Sequence, residues 1–295
     1  MTAPEQLLQL VLAGLTQGAI YALIALGFVT IYNVTGIINF AQGEFAMLGA
    51  MFIVSLVPLG LPLPVAFLLA VAAVVLVGGA IERLAIHPAR HASVVTLIII
   101  TIGVDIVLRG LALLVWGTDP FPLAPFSTGA PFSVRGAVIS RQALWILGTT
   151  AAILALLYVF FEFTYLGKAV RACAINRLSA RLSGIRPDRM SLLAFCLSAG
   201  LGAVGGIVMA PLTLVSYDMG LYLGLRGFVA AIMGGLVSAP GAVTGALLLG
   251  ILESLSAGIF RAAYKEAIAF LALFLILLVR PQGLFTRAVG TRAGL

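Results

Sequence analysis

The sequence predicts an all-α fold, a polytopic membrane bundle of eight or nine crossings, and three observations carry that prediction. Hydrophobic residues make up 62% of the 295 residues and charged residues only 9%, where soluble domains carry about 25% charged side chains. Apolar stretches close to the roughly 20 residues needed to span a bilayer core alternate with short loops, and most Lys and Arg sit in those loops and the C-terminal tail. Glycine, at 33 residues, recurs inside the apolar stretches, as close packing of membrane helices favours. Too little polar surface exists to cover a globule, so lipid must cover it. The +7 formal charge is therefore read by position, as orientation, and not as a nucleic-acid footprint.

The first span is Leu7 to Tyr32, preceded by Glu5 and no basic run. It is too long for the apolar region of a cleavable signal, so it is expected to stay in the mature protein. Ile37 to Val57, Leu63 to Ile81, Val94 to Trp116, Leu144 to Phe161 and Met190 to Leu212 follow, and Ala267 to Val279 is the last. Starting the last at Arg261 or Ala262 lengthens it to a full span at the expense of admitting Lys265 and Glu266. Between Leu212 and Arg261 lie Leu223 to Val237 and Ala242 to Ile259, with Ser238-Ala239-Pro240-Gly241 between them as a tight turn. The first of this pair is short and holds Gly227, Gly234 and Gly235, which suggests a broken or re-entrant helix. Glycine-interrupted stretches in both halves, Ile37 to Gly49 and Gly227 to Gly245, fit either a repeated transport unit or ordinary helix packing.

Orientation follows from the basic loops. Lys168, Arg171, Arg177, Arg181, Arg186 and Arg189 lie within one stretch that holds a single acid, Asp188, so this loop is expected on the cytoplasmic side. The loop Glu82 to Ser93, with Arg83 and Arg90, then falls on the same side, and Gly117 to Gln142 falls outside despite Arg135 and Arg141. Nine crossings put Met1 outside and the tail, with Arg280, Arg287 and Arg292, inside; eight would move the N-terminus. The whole chain, 1–295, reads as one membrane domain.

Few residues suggest chemistry of their own. Cys173 and Cys196 have neither C-x-x-C spacing nor a His cluster, and read as apolar fillers. His87 and His91 are four apart, but Pro88 intervenes and no third ligand is near, so no metal site is expected. No Ser/His/Asp or Cys/His set is found, and no catalytic residue is assigned. Asp105 and Arg109, four apart on one helix, are expected to pair. Asn39, Gln42, Gly43 and Glu44 stand near the start of a membrane segment. They either line a translocation path or open an interfacial helix that Asn39 caps and whose dipole favours Glu44. Asp218, Arg226, Arg261, Lys265 and Glu266 read as interfacial anchors, while Glu253 lies deeper in its segment. The basic loop itself, from Gly167 to Ile185, reads as one short amphipathic helix that Gly184 stops. It would either insert into a groove on a partner or rest on anionic headgroups.

Three motif groups resemble one family across essentially the whole chain. The first is Gly14-Leu15-x-x-Gly18-Ala19-x-Tyr21-Ala22-Leu23-x-Ala25-Leu26-Gly27, followed by Asn39-Phe40-Ala41-Gln42-Gly43-Glu44 and Met47-Leu48-Gly49-Ala50. The second is Leu166-Gly167-x-Ala169-x-Arg171-Ala172-x-Ala174, then Ala180 and Gly184-Ile185. The third is Gly234-Gly235-x-x-Ser238-x-Pro240-Gly241-Ala242-x-x-Gly245 with Arg280-Pro281-Gln282-Gly283-Leu284-Phe285. Together they resemble the LivH-type permeases of branched-chain amino-acid ABC importers. One departure is Ile175, where the family's loop often carries an acid.

The resemblance implies a multi-pass subunit of the bacterial inner membrane with a cytoplasmic C-terminus. Its implied partners are a second related permease, two cytoplasmic ATP-binding subunits and a periplasmic substrate-binding protein. No G-x-x-x-x-G-K-[ST] loop occurs in the chain, so ATP and Mg are expected on the partner subunits, with no cofactor held here. The segment from about 166 to 189 is implied to couple to the ATPase through Gly167, Ala169, Arg171, Ala172, Ala174, Ala180, Gly184 and Ile185. Tyr21, Asn39, Gln42, Gly43, Glu44 and Glu253 are the residues expected along a translocation path, if the Asn39–Glu44 stretch is not an interfacial helix start. A secondary transporter or channel for a small solute is the alternative, as is the same permease type serving urea or short amides.

Overall fold

A computed structural model describes residues 3–134, 136–259 and 265–285. Its helices are α1 (Ala3–Thr35), α2 (Gln42–Leu56), α3 (Leu63–Ile81), α4 (Val94–Trp116), α5 (Arg141–Phe163), α6 (Tyr165–Ile175), α7 (Arg177–Leu182), α8 (Pro187–Met209), α9 (Met219–Gly234), α10 (Ala239–Ile259) and α11 (Lys265–Val279). Among the described residues, seven helices are long and apolar enough to cross a membrane, and the shorter Met219–Gly234 and Ala267–Val279 bring the candidate spans to nine.

Local chemistry sets the boundaries. Pro62 precedes α3 and Pro64 sits in its first turn, where no amide partner is needed. The Ser93 hydroxyl accepts the Thr96 amide at 3.2 Å to start α4, and Ser140 does the same for Ala143 at 3.1 Å to start α5. The expected turn at 238–241 is displaced: the chain turns over Gly235 to Ser238, closed by the Ser238 amide on the Gly235 carbonyl at 3.0 Å. Pro240 then falls in the first turn of α10, a position it tolerates. Contrary to the expectation of a broken segment there, α9 is one continuous helix.

The break lies elsewhere. After α1 ends at Thr35, Gly36 to Ala41 run without helix back into the bundle, and α2 begins beside the middle of α1. A Cβ on Gly27 would sit 2.0 Å from the Gln42 amide nitrogen. Gly27 precedes the end of α1 by about 12 Å of helix rise. The interfacial reading of this helix start is thereby corrected, because Asn39, Gln42 and Glu44 are all fully buried. Apolar Ile37 and Ile38 conceal the break from hydropathy.

Helices α1, α2, α8, α9 and α10 form the core, and α3, α4 and α5 lie outside it with their Leu, Ile and Val side chains turned outward. Core helices approach to backbone contact through small residues, the arrangement that substitutes for a hydrophobic force in lipid. A Cβ on Gly14 of α1 would fall 2.6 Å from the Ile251 Cα of α10, and one on Gly206 of α8 would fall 1.8 Å from the Ala46 carbonyl oxygen of α2.

The two ends differ in chemistry. At one, the loops after α3 and after α5 meet, joined by Arg90 and Asp188 at 2.9 Å, as the positive-inside count expects. At the other, a two-stranded hairpin, β1 (Phe132–Val134) and β2 (Ala137–Ile139), docks on the start of α1. Gln9 accepts from the Val138 amide at 2.6 Å and donates to its carbonyl at 3.0 Å. The N-terminal end of α1 therefore lies opposite the basic loops, as nine crossings require. Arg141, the cation that sat awkwardly in this loop, donates to the Ala130 carbonyl at 3.2 Å and lies over the Phe132 ring. Arg135, Arg261, Arg287 and Arg292 lie outside the described residues.

Candidate functional site

Two charged clusters and one polar contact lie inside the bundle. Glu44, in the first turn of α2, meets Arg109 of α4 at 3.5 Å, and the same guanidinium nitrogen lies 2.5 Å from Asp105. The expected Asp105–Arg109 pair thus forms, but as part of a triad with two carboxylates on one cation. The Glu44 carboxylate packs on the start of α9, where a Cβ on Gly220 would fall 2.6 Å from it. A Cβ on Gly43 would fall 2.0 Å from the Gly220 carbonyl oxygen, so both glycines are needed for α2 and α9 to cross here. One oxygen of Glu44 and the amide nitrogen of Asn39 lack hydrogen-bond partners among the described residues. Asn39 turns its other atom inward, accepting the Ala41 amide at 3.2 Å.

Tyr21 of α1 donates to Glu253 of α10 at 2.9 Å, across 232 positions of sequence. Arg226 of α9 lies 3.5 Å from the same carboxylate and 5.9 Å from the Tyr21 ring. Arg226 is accordingly not the interfacial anchor expected from sequence: it sits in the middle of its helix and counters a buried acid. No spacing rule connects positions so far apart. A signal was present nonetheless, since a lone Arg between Leu225 and Gly227 in an apolar helix needs a partner or water.

Gln42 forms the polar contact. Its amide donates to the Ser198 carbonyl at 3.1 Å, its oxygen touches the Ser198 hydroxyl, and that hydroxyl also reaches the Gly27 carbonyl at 2.9 Å. The start of α2 is so pinned to α1 and α8. Of the six residues expected along a path, the structure places Glu44 in the triad, Tyr21 with Glu253, Gln42 on Ser198, Gly43 against α9 and Asn39 in the break before α2.

Arg109 and Arg226 are each about a quarter exposed, at 24% and 25% of the side chain. Between them α9 turns Leu221, Tyr222 and Leu225 outward. Charges at membrane depth normally face protein or water, so the two partly exposed guanidiniums mark this otherwise apolar flank.

At the basic end the expected single amphipathic helix is two. Asn176 ends α6 and caps α7, its side chain accepting the Ser179 amide at 3.0 Å. The buried face is Gly167, Val170, Cys173 and Ala180, with Ala169, Ala172 and Ile185 partly buried against it. Ile175, Leu178 and Leu182, although apolar and near helical spacing in this loop, are exposed. Gly167 is required by crowding, since its Cβ would fall 2.1 Å from the Phe160 carbonyl oxygen. Arg171 is exposed and donates to the Phe161 carbonyl at 2.6 Å and to Glu162 at 2.5 Å, tying α6 to the end of α5. Ala174 is exposed beside it, and Gly184 turns the chain after α7 with a left-handed φ of +83°. Burial pushes the Cys173 thiol above its ordinary value.

Two motifs from the C-terminal half meet at this same end. The Leu284 amide donates to the Met233 carbonyl at 2.9 Å and Phe285 to Gly234 at 3.3 Å. Gly283 adopts φ +86° and lies so close that its Cβ would fall 2.6 Å from the Gly235 nitrogen. Phe285, Ala174 and Arg171 line one cavity with the turn after α9.

Residues 10–278 match the family described as "Branched-chain amino acid transport system / permease component". The high-affinity branched-chain amino acid transport system permease protein LivH of Escherichia coli (strain K12) is 34% identical, over 95% of this chain and 96% of that protein. The corresponding protein BraD of Pseudomonas aeruginosa is 35% identical over 95% and 96%. A ribose import permease protein, RbsC of Haemophilus influenzae, is 24% identical over 92% and 85%. Among solved structures, PsaBC from Streptococcus pneumoniae in complex with Fab superposes with a TM-score of 0.50 at 13% identity, covering 92% of this chain and 91% of that one, a likeness of fold alone.

Proposed function

The chain belongs to the family of permease components of branched-chain amino-acid transport systems, and from that premise we propose how it works within an importer. It is a transmembrane permease subunit of an ATP-binding-cassette importer for branched-chain or related small amino acids, a multi-pass membrane protein. ATPase and binding-protein partners go with that role. In our reading the complete assembly pairs this chain with a second related permease, on two ATP-binding subunits, fed by a periplasmic binding protein. The basic end, with Leu284 and Phe285 on it, faces the cytoplasm of a bacterial cell.

The observation that carries the mechanism is the Glu44–Asp105–Arg109 triad at the start of a helix that begins inside the membrane. Its cation is partly exposed on the flank where α9 presents Tyr222 and, at its other edge, Arg226. This flank meets the second permease and the solute passes between them, with Gly43 and Glu44 holding α2 and α9 in register, Asn39 in the break before α2 and Gln42 pinning the start of α2 to α1 and α8, and Tyr21 with Glu253 holding α1 and α10. ATP-driven closure of the partner subunits acts on α6 and α7, and Gly167, Ala169, Ala172, Ala180 and Ile185 seat these two helices on the bundle. Arg171, Ala174 and Gly184 lie at their surface. The movement tilts core helices as rigid bodies between outward and inward access. Uptake of labelled leucine into proteoliposomes bearing the whole transporter tests the flank: Tyr222→Trp and Leu225→Trp should each reduce uptake at least tenfold without loss of insertion. Wild-type uptake in both would remove α9 from the path.

A further inference from the structure

The loop after α3 and the segment from α7 to the start of α8 enclose a cavity of about 850 Å³ at the basic end. Six arginines line it: Arg83, Arg90, Arg177, Arg181, Arg186 and Arg189. Only two carboxylates are within range. Asp188 takes Arg90 at 2.9 Å, and buried Glu82 lies 3.8 Å from Arg83. Arg177, Arg181, Arg186 and Arg189 make no ion pair or side-chain hydrogen bond among the described residues. Four unpaired guanidiniums on one cavity repel each other, and an anion seated among them removes that cost.

Two histidines stand beside the cations. His87 Nε2 lies 3.0 Å from an Arg90 nitrogen and His91 Nε2 lies 3.2 Å from Arg90 Nε, and both rings line the cavity.

The surroundings indicate the source of the anion. Leu84, next to Arg83, is 80% exposed, and Val94, Val95, Ile99 and Leu76 continue an outward apolar surface along α3 and α4. The cavity thus lies where hydrocarbon-facing surface gives way to charge, at headgroup depth. We propose that it is a phosphate-binding site that takes the headgroup of an anionic phospholipid, whose chains lie along α3 and α4. Basic pockets between helix ends on the cytoplasmic side bind headgroups by this combination of charge and depth. The site is separate from Arg171 and the outer face of α6 but takes in α7, Gly184 and Ile185 of the segment assigned above to the ATPase, so lipid binding is measured on the chain without its ATP-binding subunits.

The test uses the full chain in nonionic detergent, with bound lipid counted by native mass spectrometry and melting followed as lipid is added. Phosphatidylglycerol should bind and raise the melting temperature, while phosphatidylcholine and inorganic phosphate at equal phosphorus should not. The triple variant Arg83→Gln/Arg186→Gln/Arg189→Gln should lose affinity for phosphatidylglycerol about a hundredfold, from roughly 1 kcal/mol per basic residue. Arg83→Lys/Arg186→Lys/Arg189→Lys, which guards against misfolding of the first, should keep most of it, and Arg280→Gln should keep all of it. Equal stabilisation by inorganic phosphate would overturn the lipid source, and equal phosphatidylglycerol binding by the Gln triple would overturn the site. Unchanged lipid binding in that triple together with loss of the ATP-binding subunits would show the arginines to be a protein contact instead.

Discussion

Replacing Arg109 by Leu removes the one cation shared by two carboxylates, and the structure says which of the two then dominates the damage. At an effective dielectric constant of 20 the attractions across 3.5 and 2.5 Å are about 5 and about 7 kcal/mol. Both vanish in Arg109→Leu, while the desolvation of the carboxylates and their mutual repulsion stay. Removing one side of a buried pair typically costs about 3–5 kcal/mol after relaxation, roughly 6–12 °C in a chain of this size. Glu44 is fully buried, whereas the Asp105 side chain is 11% exposed and can reach outward. Neutralising Glu44 should therefore rescue more than neutralising Asp105. The assay is the melting temperature of purified single and double variants by thiol-reactive dye or size exclusion after heating. Expected stability falls in the order wild type, Glu44→Gln, Arg109→Leu/Glu44→Gln, Arg109→Leu/Asp105→Asn, Arg109→Leu. Coupling between positions 44 and 109 should be about 1–3 kcal/mol. Additive losses, or a better rescue from Asp105→Asn, would refute the assignment of Glu44 as the buried partner.

Three further perturbations test other parts of the argument. Gly43→Ala drives a methyl to 2.0 Å from the Gly220 carbonyl oxygen, while Gly103→Ala meets nothing within 4 Å. Melting should fall by about 1–3 kcal/mol for the first, change by less than about 0.5 kcal/mol for the second, and equal effects would undo the packing account. Arg171→Glu should abolish uptake while ATP hydrolysis and insertion persist, and adding Glu162→Arg should restore the tie between α5 and α6 and part of the uptake, measured in proteoliposomes. Cys173 is buried with its thiol pushed above the ordinary value, so less thiolate exists at neutral pH. Maleimide labelling at pH 7 should be at least tenfold slower than at Ala174→Cys, and should rise with pH beyond the ordinary thiol range.

Much of the fold could be read from residues one at a time. The ends of α3 and α4 coincide with Leu63–Ile81 and Val94–Trp116 because proline and serine mark those starts locally. The break before α2 could not, because Ile37 and Ile38 continue the hydropathy of a span while the backbone leaves the helix. The split between α6 and α7 was equally hidden: Asn176 fits a helix surface as well as a cap, and Ile175, Leu178 and Leu182 have the spacing of a buried stripe. Whether such a stripe is buried depends on what lies across from it. At the site, the pair four residues apart was legible, and its third member was not, since Glu44 and Arg109 are joined only through the packing of α2 on α4. Tyr21, Glu253 and Arg226 come from three helices, and no local pattern carries their meeting.

Several of these hidden features, the Glu44 triad and the Arg226–Glu253 contact among them, meet on α9. At 16 residues it is too short to anchor itself by length, since about 20 are needed to span hydrocarbon. It is held instead at discrete points: Glu44 and Gly43 against its first turn, Arg226 on Glu253 near its middle, and Leu284 and Phe285 on its last carbonyls. Each point belongs to a different helix or segment, so displacement of the basic end reaches α9 through Phe285, while its first turn stays tied to α2. A helix secured this way can pivot about the Gly43–Gly220 crossing, where backbone meets backbone and the Glu44 carboxylate is the side chain packed against Gly220. In the importer proposed above, that geometry makes the outward face of α9, with exposed Tyr222, the element of this chain best placed to move against a second subunit.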